Sequence, residues 1–117
     1  MVAGHVYSDA SRLTQERLAE KRRVIDAPGA RFASAAFVTG TLDRVATREE
    51  FLALVERAAI PVLVVYGAET PPRSRAEIEA LSAVAGVQSV RLARGKLSVH
   101  EEFPDEVGEA IMPFLLQ

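Results

Sequence analysis

The chain contains no cysteine. That single absence excludes disulfides, thiolate metal sites and cysteine nucleophiles together, and it fits a cytoplasmic setting, which is the expected location. No apolar run approaches the length that crosses a bilayer, so no membrane partner is expected. The opening residues, Met1-Val2-Ala3-Gly4-His5, lack the charged-then-apolar layout of a secretory leader. An excess of positive charge is missing as well: 14 Lys and Arg stand against 16 Asp and Glu, a net charge of −2. A nucleic-acid partner needs a concentrated basic face and is not expected. The one basic cluster, Lys21-Arg22-Arg23, shares its helical pattern with Glu16 and Glu20 and reads as a solvated face. The glycines form no phosphate-cradling loop, and His5 and His100 do not make a metal pair, so no cofactor and no metal are expected. Internal repeats and low-complexity tracts are absent too.

What is present is an ordinary globular composition, 49% apolar and 26% charged over 117 residues. That length predicts one domain, residues 1–117. Its organising stretch is Ile60-Pro61-Val62-Leu63-Val64-Val65-Tyr66-Gly67. No helical period fits this β-branched run, and it reads as a strand buried on both faces, as in the middle of a parallel sheet. Pro61 suits its first residue, where a missing N–H does least harm.

Residues 1–12 read as irregular. Thr14 predicts a helix start, with the helix running to Ile25. Ala27-Pro28-Gly29-Ala30 is a break, and a second helical segment spans 31–42. Thr47-Arg48-Glu49-Glu50 is a capping box that opens a third helix. After the strand, Ala68-Glu69-Thr70-Pro71-Pro72 reads as loop. Ser74-Arg75-Ala76-Glu77 reads as a second capping box, and Gly86 as the stop of that helix. A second strand covers 87–92 and a loop 93–102. Pro104 is placed at the first position of a last helix, whose final turn should kink or fray at Pro113.

The predicted fold class is therefore α/β: three N-terminal helices, then a β-α-β-α unit with a short parallel sheet. Two parallel strands are fewer than a stable sheet needs. A long apolar edge attracts another chain, so the expectation is self-association into a homo-oligomer, most simply a dimer.

From Thr47 onward the chain resembles the C-terminal part of an α/β-hydrolase-fold protein. The likeness rests on the strand 60–67, on Val87-Gln88-Ser89-Val90-Arg91-Leu92, and on His100-Glu101-Glu102-Phe103-Pro104-Asp105-Glu106-Val107. It implies a cap-like helical region over 1–46 and a hydrolase-like unit over 47–117. Three departures accompany it. There is no Gly-x-Ser-x-Gly nucleophile elbow. The position that the family gives its acid holds Thr70, one residue after Glu69. The position of the family's histidine, about seven residues before the helix-opening proline, holds Leu97.

His100 matches a second, non-catalytic histidine of the family's loop; as a residue on a loop after a strand it is still the candidate base, with Glu69 the candidate group orienting it and Asp43 an alternative acid. Against each stands a plainer role: His100 as a hydrogen-bonded residue at a helix entrance, Glu69 as a solvated loop carboxylate. Ser98 is too close in sequence to His100 to be its nucleophile by spacing. Glu101 and Glu102 are adjacent and should point apart, with Glu102 supporting the helix start. Three functions follow. The chain is an inert, self-associating hydrolase-like segment; or it is part of a hydrolase acting on an ester or similar bond, its nucleophile lying elsewhere and its small-molecule substrate unnamed; or it is an interaction module that borrows a partner's sheet edge.

Overall fold

The computed structural model describes residues 2–117, with side chains from Gly4 onward, so the expectation for Met1 lies outside the described residues. Seven helices and a two-stranded parallel sheet make up the described chain. In order they are α1 (Val2–Val6), a 3-10 turn (Ala10–Arg12), α2 (Gln15–Ile25), α3 (Ala30–Val38), α4 (Arg48–Ala58), β1 (Val62–Gly67), α5 (Pro72–Ser82), β2 (Val87–Leu92), α6 (Val99–Glu102) and α7 (Pro104–Leu115). The α/β class and the helix-strand-helix-strand-helix order from α4 onward are as the sequence predicts.

Local chemistry accounts for the element ends. Thr14 caps α2, its hydroxyl accepting the Arg17 N–H at 3.3 Å. The capping box at Thr47 is complete: Thr47 Oγ1 accepts from Glu50 N–H at 3.2 Å, and Glu50 Oε2 accepts from Thr47 N–H at 3.3 Å. α3 stops at Val38, four residues short of expectation. Gly40 takes a φ of +70°, the Thr41 N–H donates to Ala36 O and the Gly40 N–H to Phe37 O, a full Schellman stop that closes the helix early.

Several expectations need correction. The N-terminal residues are not irregular throughout: α1 and the 3-10 turn form there, the latter capped by Asp9, whose carboxylate accepts the Ser11 N–H at 2.9 Å. Ser74 does not cap α5. The helix starts earlier, with Pro72 in its first turn, where a fixed φ and a missing N–H carry no cost. Glu77, assigned to that cap, instead takes the Arg48 guanidinium of α4, with Nε 2.8 Å from Oε2. α5 ends at Ser82, before Gly86. The 93–102 loop contains the short helix α6. α7 runs through Pro113 to Leu115, since by then only one intrahelical bond is lost.

The sheet is in register from Val62 opposite Val87 to Gly67 opposite Leu92. β1 is not buried on both faces. Val62 to Tyr66 are half-buried and only Gly67 is fully covered. The reason is coverage: α7 crosses both strands, α5 lies on β2, and α4 packs against α5.

The buried apolar side chains Tyr7, Leu92, Val99 and Phe103 lie where the N-terminal segment, the end of β2 and α6–α7 converge. Elsewhere, large apolar side chains face outward. Phe32, Phe37 and Val38 of α3 are 80%, 77% and 82% exposed. The accessible surface is 8718 Å². A self-sufficient 12.7 kDa chain shows about 6,200 Å². The radius of gyration, 16.2 Å, also exceeds the value of about 13.4 Å that suits a compact domain of this length. No helix among the described residues is long and apolar enough to cross a membrane.

Candidate functional site

The C-terminal ends of β1 and β2 are where a parallel α/β sheet offers its ligand crevice. Here they are tied shut by backbone. Gly67 lies so close to the following loop that a Cβ there would sit 2.0 Å from the carbonyl oxygen of Gly95. The Ala68 N–H donates to Leu92 O at 3.1 Å, and the Glu69 N–H to Gly95 O at 3.0 Å. Glu69 returns the contact: its Oε1 accepts the Gly95 N–H at 3.1 Å. Glu69 is thus a loop clamp with an exposed side chain.

Thr70, the residue at the family's acid position, is 2% exposed. Its hydroxyl donates to Gly67 O at 2.7 Å, and its N–H to the same oxygen at 3.1 Å. Arg75 of α5 reaches back to the turn, donating through Nη2 to Ala68 O at 2.5 Å and to Thr70 O at 3.2 Å. The turn leaving β1 is therefore locked by one hydroxyl and one guanidinium.

His100 lies in α6 with its side chain 67% exposed, and its nearest carboxylate is Glu101 Oε1 at 3.9 Å. Among the described residues no hydroxyl and no Glu69 oxygen hydrogen-bonds it. It borders a shallow hollow with Arg17, Glu20, Lys21, Glu101 and Pro104, which Glu69 does not reach. Leu97, at the family's histidine position, donates its N–H to Val6 O at 3.0 Å, and the buried Ser98 donates its own to the same oxygen at 3.1 Å. Asp43 closes a surface turn, accepting the Val45 N–H at 3.0 Å. The structure therefore does not join His100 and Glu69, or either of them to a hydroxyl. No group of three or more His, Asp or Glu among the described residues is arranged to hold a metal ion.

The dense polar cluster lies next door, and the sequence reading missed it. Glu102 is 1% exposed. Its Oε1 accepts from Ser8 Oγ at 2.8 Å and from Asp9 N–H at 2.8 Å, and its Oε2 accepts from Ser8 N–H at 3.0 Å. It does not support the start of α7, as expected; it holds the turn after α1. Glu101 points to other partners, taking Tyr7 Oη at 2.6 Å and Lys21 Nζ at 3.0 Å. Arg17 donates to Glu101 O at 3.2 Å. Phe103 is flanked by two guanidiniums, Arg94 at 4.2 Å and Arg12 at 5.6 Å from its ring centre. The local sequence carried one signal of this: two neighbouring carboxylates before a proline cannot both serve the same helix start.

Burial pushes Glu102 toward its neutral form, but the N–H groups of Ser8 and Asp9 and the Ser8 hydroxyl outweigh it, and its pKa lies below the ordinary glutamate range. The Tyr7 hydroxyl lowers Glu101, with Lys21 adding to it against a desolvation penalty. Both carboxylates have folded-state values below their unfolded ones. Their contribution is full above the unfolded carboxylate value and is lost as pH falls through the folded value. Acidification is thus expected to release the N-terminal segment before the sheet unfolds. Protection of the Ser8 and Asp9 amides, taken relative to the intrinsic exchange rate at each pH, should fall on the acid side, and in Glu102→Gln that protection should change little with pH.

What this geometry does chemically is bind chain to chain: every strong polar contact of the cluster ends on another residue of the protein. No family model, no curated relative and no solved structure matches the chain.

Proposed function

We propose that the chain is a catalytically inert, α/β-hydrolase-like C-terminal unit whose role is association, with its sheet completed by a second copy. The observation that carries this reading is the surplus surface. The chain exposes 8718 Å², about 2,500 Å² more than a self-sufficient domain of its mass. A standard stable interface takes about 800 Å² from each partner, so the surplus is ample for one. Supporting it, the residues at the family's acid and histidine positions, Thr70 and Leu97, are engaged in turn and loop hydrogen bonds that leave no base and no orienting acid.

The test is solution mass across a dilution series by sedimentation or light scattering. The expected result is a concentration-linked dimer. The same samples are expected to hydrolyse simple esters no faster than buffer. A monomer at every concentration, or ester turnover that His100→Ala abolishes, overturns the reading.

A further inference from the structure

The ladder between β1 and β2 determines which backbone groups of β1 remain open. The Ala68 N–H donates to Leu92 O, so residue 68 turns its backbone toward β2. Alternation along a strand then turns Tyr66, Val64 and Val62 the same way, and turns Gly67, Val65 and Leu63 toward the outer edge. The Gly67 carbonyl is already taken, by the N–H and the hydroxyl of Thr70. The open groups are the N–H and C=O of Leu63 and Val65 and the N–H of Gly67. Among the described residues no strand pairs with that edge, and no backbone hydrogen bond outside the ladder reaches Val62 to Tyr66.

The outer edge of β2 is different. The Val87 N–H is used within the turn, donating to Val84 O, and Gln88, Ser89 and Arg91 are exposed. Polar and charged residues discourage edge pairing, whereas β1 from Val62 to Val65 has none.

We propose that β1 pairs antiparallel with β1 of a second copy about a two-fold axis at Val64, giving one four-stranded sheet in the order β2-β1-β1-β2; this rests on the self-association reading above. The symmetry follows from the contact itself. A closed dimer is isologous, and an antiparallel extension of one sheet puts the two-fold perpendicular to it. Residues facing each other across that axis then lie on the same sheet face, so the axis passes through a residue of β1. With the axis at Val64, Leu63 of one copy meets Val65 of the other, and the reverse. Each such pair exchanges both its N–H···O bonds, and the Gly67 N–H comes opposite the carbonyl of Pro61, which has no N–H of its own to place, so all the open groups find partners. With the axis at Val65, Leu63 would face Gly67, whose carbonyl is occupied. The Val64 axis is the register that leaves no open group behind.

In that register the two Val64 residues form a non-hydrogen-bonded pair, whose Cβ atoms lie about 4.5–5.5 Å apart. The cysteine-free chain makes a clean background for cross-linking. Val64→Cys, treated with diamide, should convert most of the chain to a covalent dimer, the two thiols giving up two electrons and two protons to the diamide. Val65→Cys should give far less. In the unaltered protein, the Leu63 and Val65 amides should exchange at least about tenfold more slowly when concentrated than when dilute, while the ladder amides of Val64 and Tyr66 change little. The unaltered protein decides the matter if a variant fails to fold. Dimerisation by mass without protection of Leu63 and Val65, or with efficient cross-linking at Val65 instead of Val64, overturns the β1 joint and leaves the association reading standing. A chain that stays monomeric overturns both and assigns the edge to some other occupant.

Discussion

Glu102→Ala is expected to detach the N-terminal segment and to cost about 3 kcal/mol or more of its docking free energy. Glu102 is 1% exposed and its two oxygens accept three hydrogen bonds, from Ser8 N–H, Ser8 Oγ and Asp9 N–H. Bonds to an ionised acceptor are each stronger than neutral ones, and removing the acceptor leaves two backbone donors and a hydroxyl without their partner. The neighbouring Glu101 gives the internal control. Its side chain is 29% exposed and its partner Lys21 is 42% exposed, so Glu101→Ala should cost only about 1 kcal/mol. The measurement is amide exchange resolved by segment at one fixed protein concentration, because association would otherwise shift the apparent stability. In Glu102→Ala, Ser8 and Asp9 should lose protection while β1 and β2 keep theirs. Equal losses in the two variants would mean that the buried carboxylate is not what anchors the segment.

The reason for such a large effect is the thinness of the other connections. Beyond Glu101 and Glu102, the segment is held to the C-terminal half by Leu97 and Ser98 N–H groups on Val6 O, by Lys96 Nζ on Gly4 O, by Arg12 against the Phe103 ring and by Tyr7 in the small apolar cluster with Val99 and Phe103. α2 and α3 pack against each other, yet α3 leaves Phe32, Phe37 and Val38 outward. With so little apolar surface buried along this half, a fully satisfied carboxylate carries an unusual share of the tertiary linkage.

Much of the fold was legible because it is written in local chemistry. Thr14, Thr47 and Pro104 mark helix starts by side-chain or ring geometry that needs no tertiary context. β1 follows from an apolar, β-branched run bounded by Pro61 and Gly67, and β2 from the short stretch 87–92 that begins after Gly86. Misplaced elements were those where two local signals compete. At 70–77, Pro72 and a Ser-Arg-Ala-Glu box both propose a start, and the proline wins because Glu77 is drawn to Arg48 of another helix. The burial of β1 was overestimated since an apolar run reports what a strand can bury, not which neighbours the chain supplies. The Glu102 cluster was illegible for a related reason. Its donors, Ser8 and Asp9, lie more than ninety positions away in sequence, and two of its three contacts are backbone N–H groups that any residue could provide. His100 was legible only as a residue type; its exposure depends on how α6 is turned.

Gly67→Ala should be the most damaging single methyl that the sheet can receive. Its Cβ would stand 2.0 Å from the carbonyl oxygen of Gly95, 2.4 Å from that carbonyl's carbon and 2.8 Å from the oxygen of Arg94. All three are backbone atoms, so no side chain can swing aside, and the loop must move as a unit. That loop is fixed on the other side. Gly95 has a φ of +95°, and its own Cβ position lies 2.7 Å from Val99 Cγ1 and 3.0 Å from Phe103 Cε2. Moving it breaks the Glu69 N–H to Gly95 O bond and the Gly95 N–H to Glu69 bond together, and it disturbs the Phe103 ring on which Arg94 and Arg12 rest. Overpacking in a yielding core costs about 1–3 kcal/mol; against immovable backbone the cost belongs at or above the top of that range. Urea unfolding at fixed protein concentration should show a fall of about 3 kcal/mol or more. Gly86→Ala provides the contrast. It also has a positive φ, +84°, but meets no atom within 4 Å, so it should lose only about 1 kcal/mol, from backbone strain alone. If the two variants lose the same amount, the close approach of the strand end to the Gly95 loop is not what holds the C-terminal ends of the sheet.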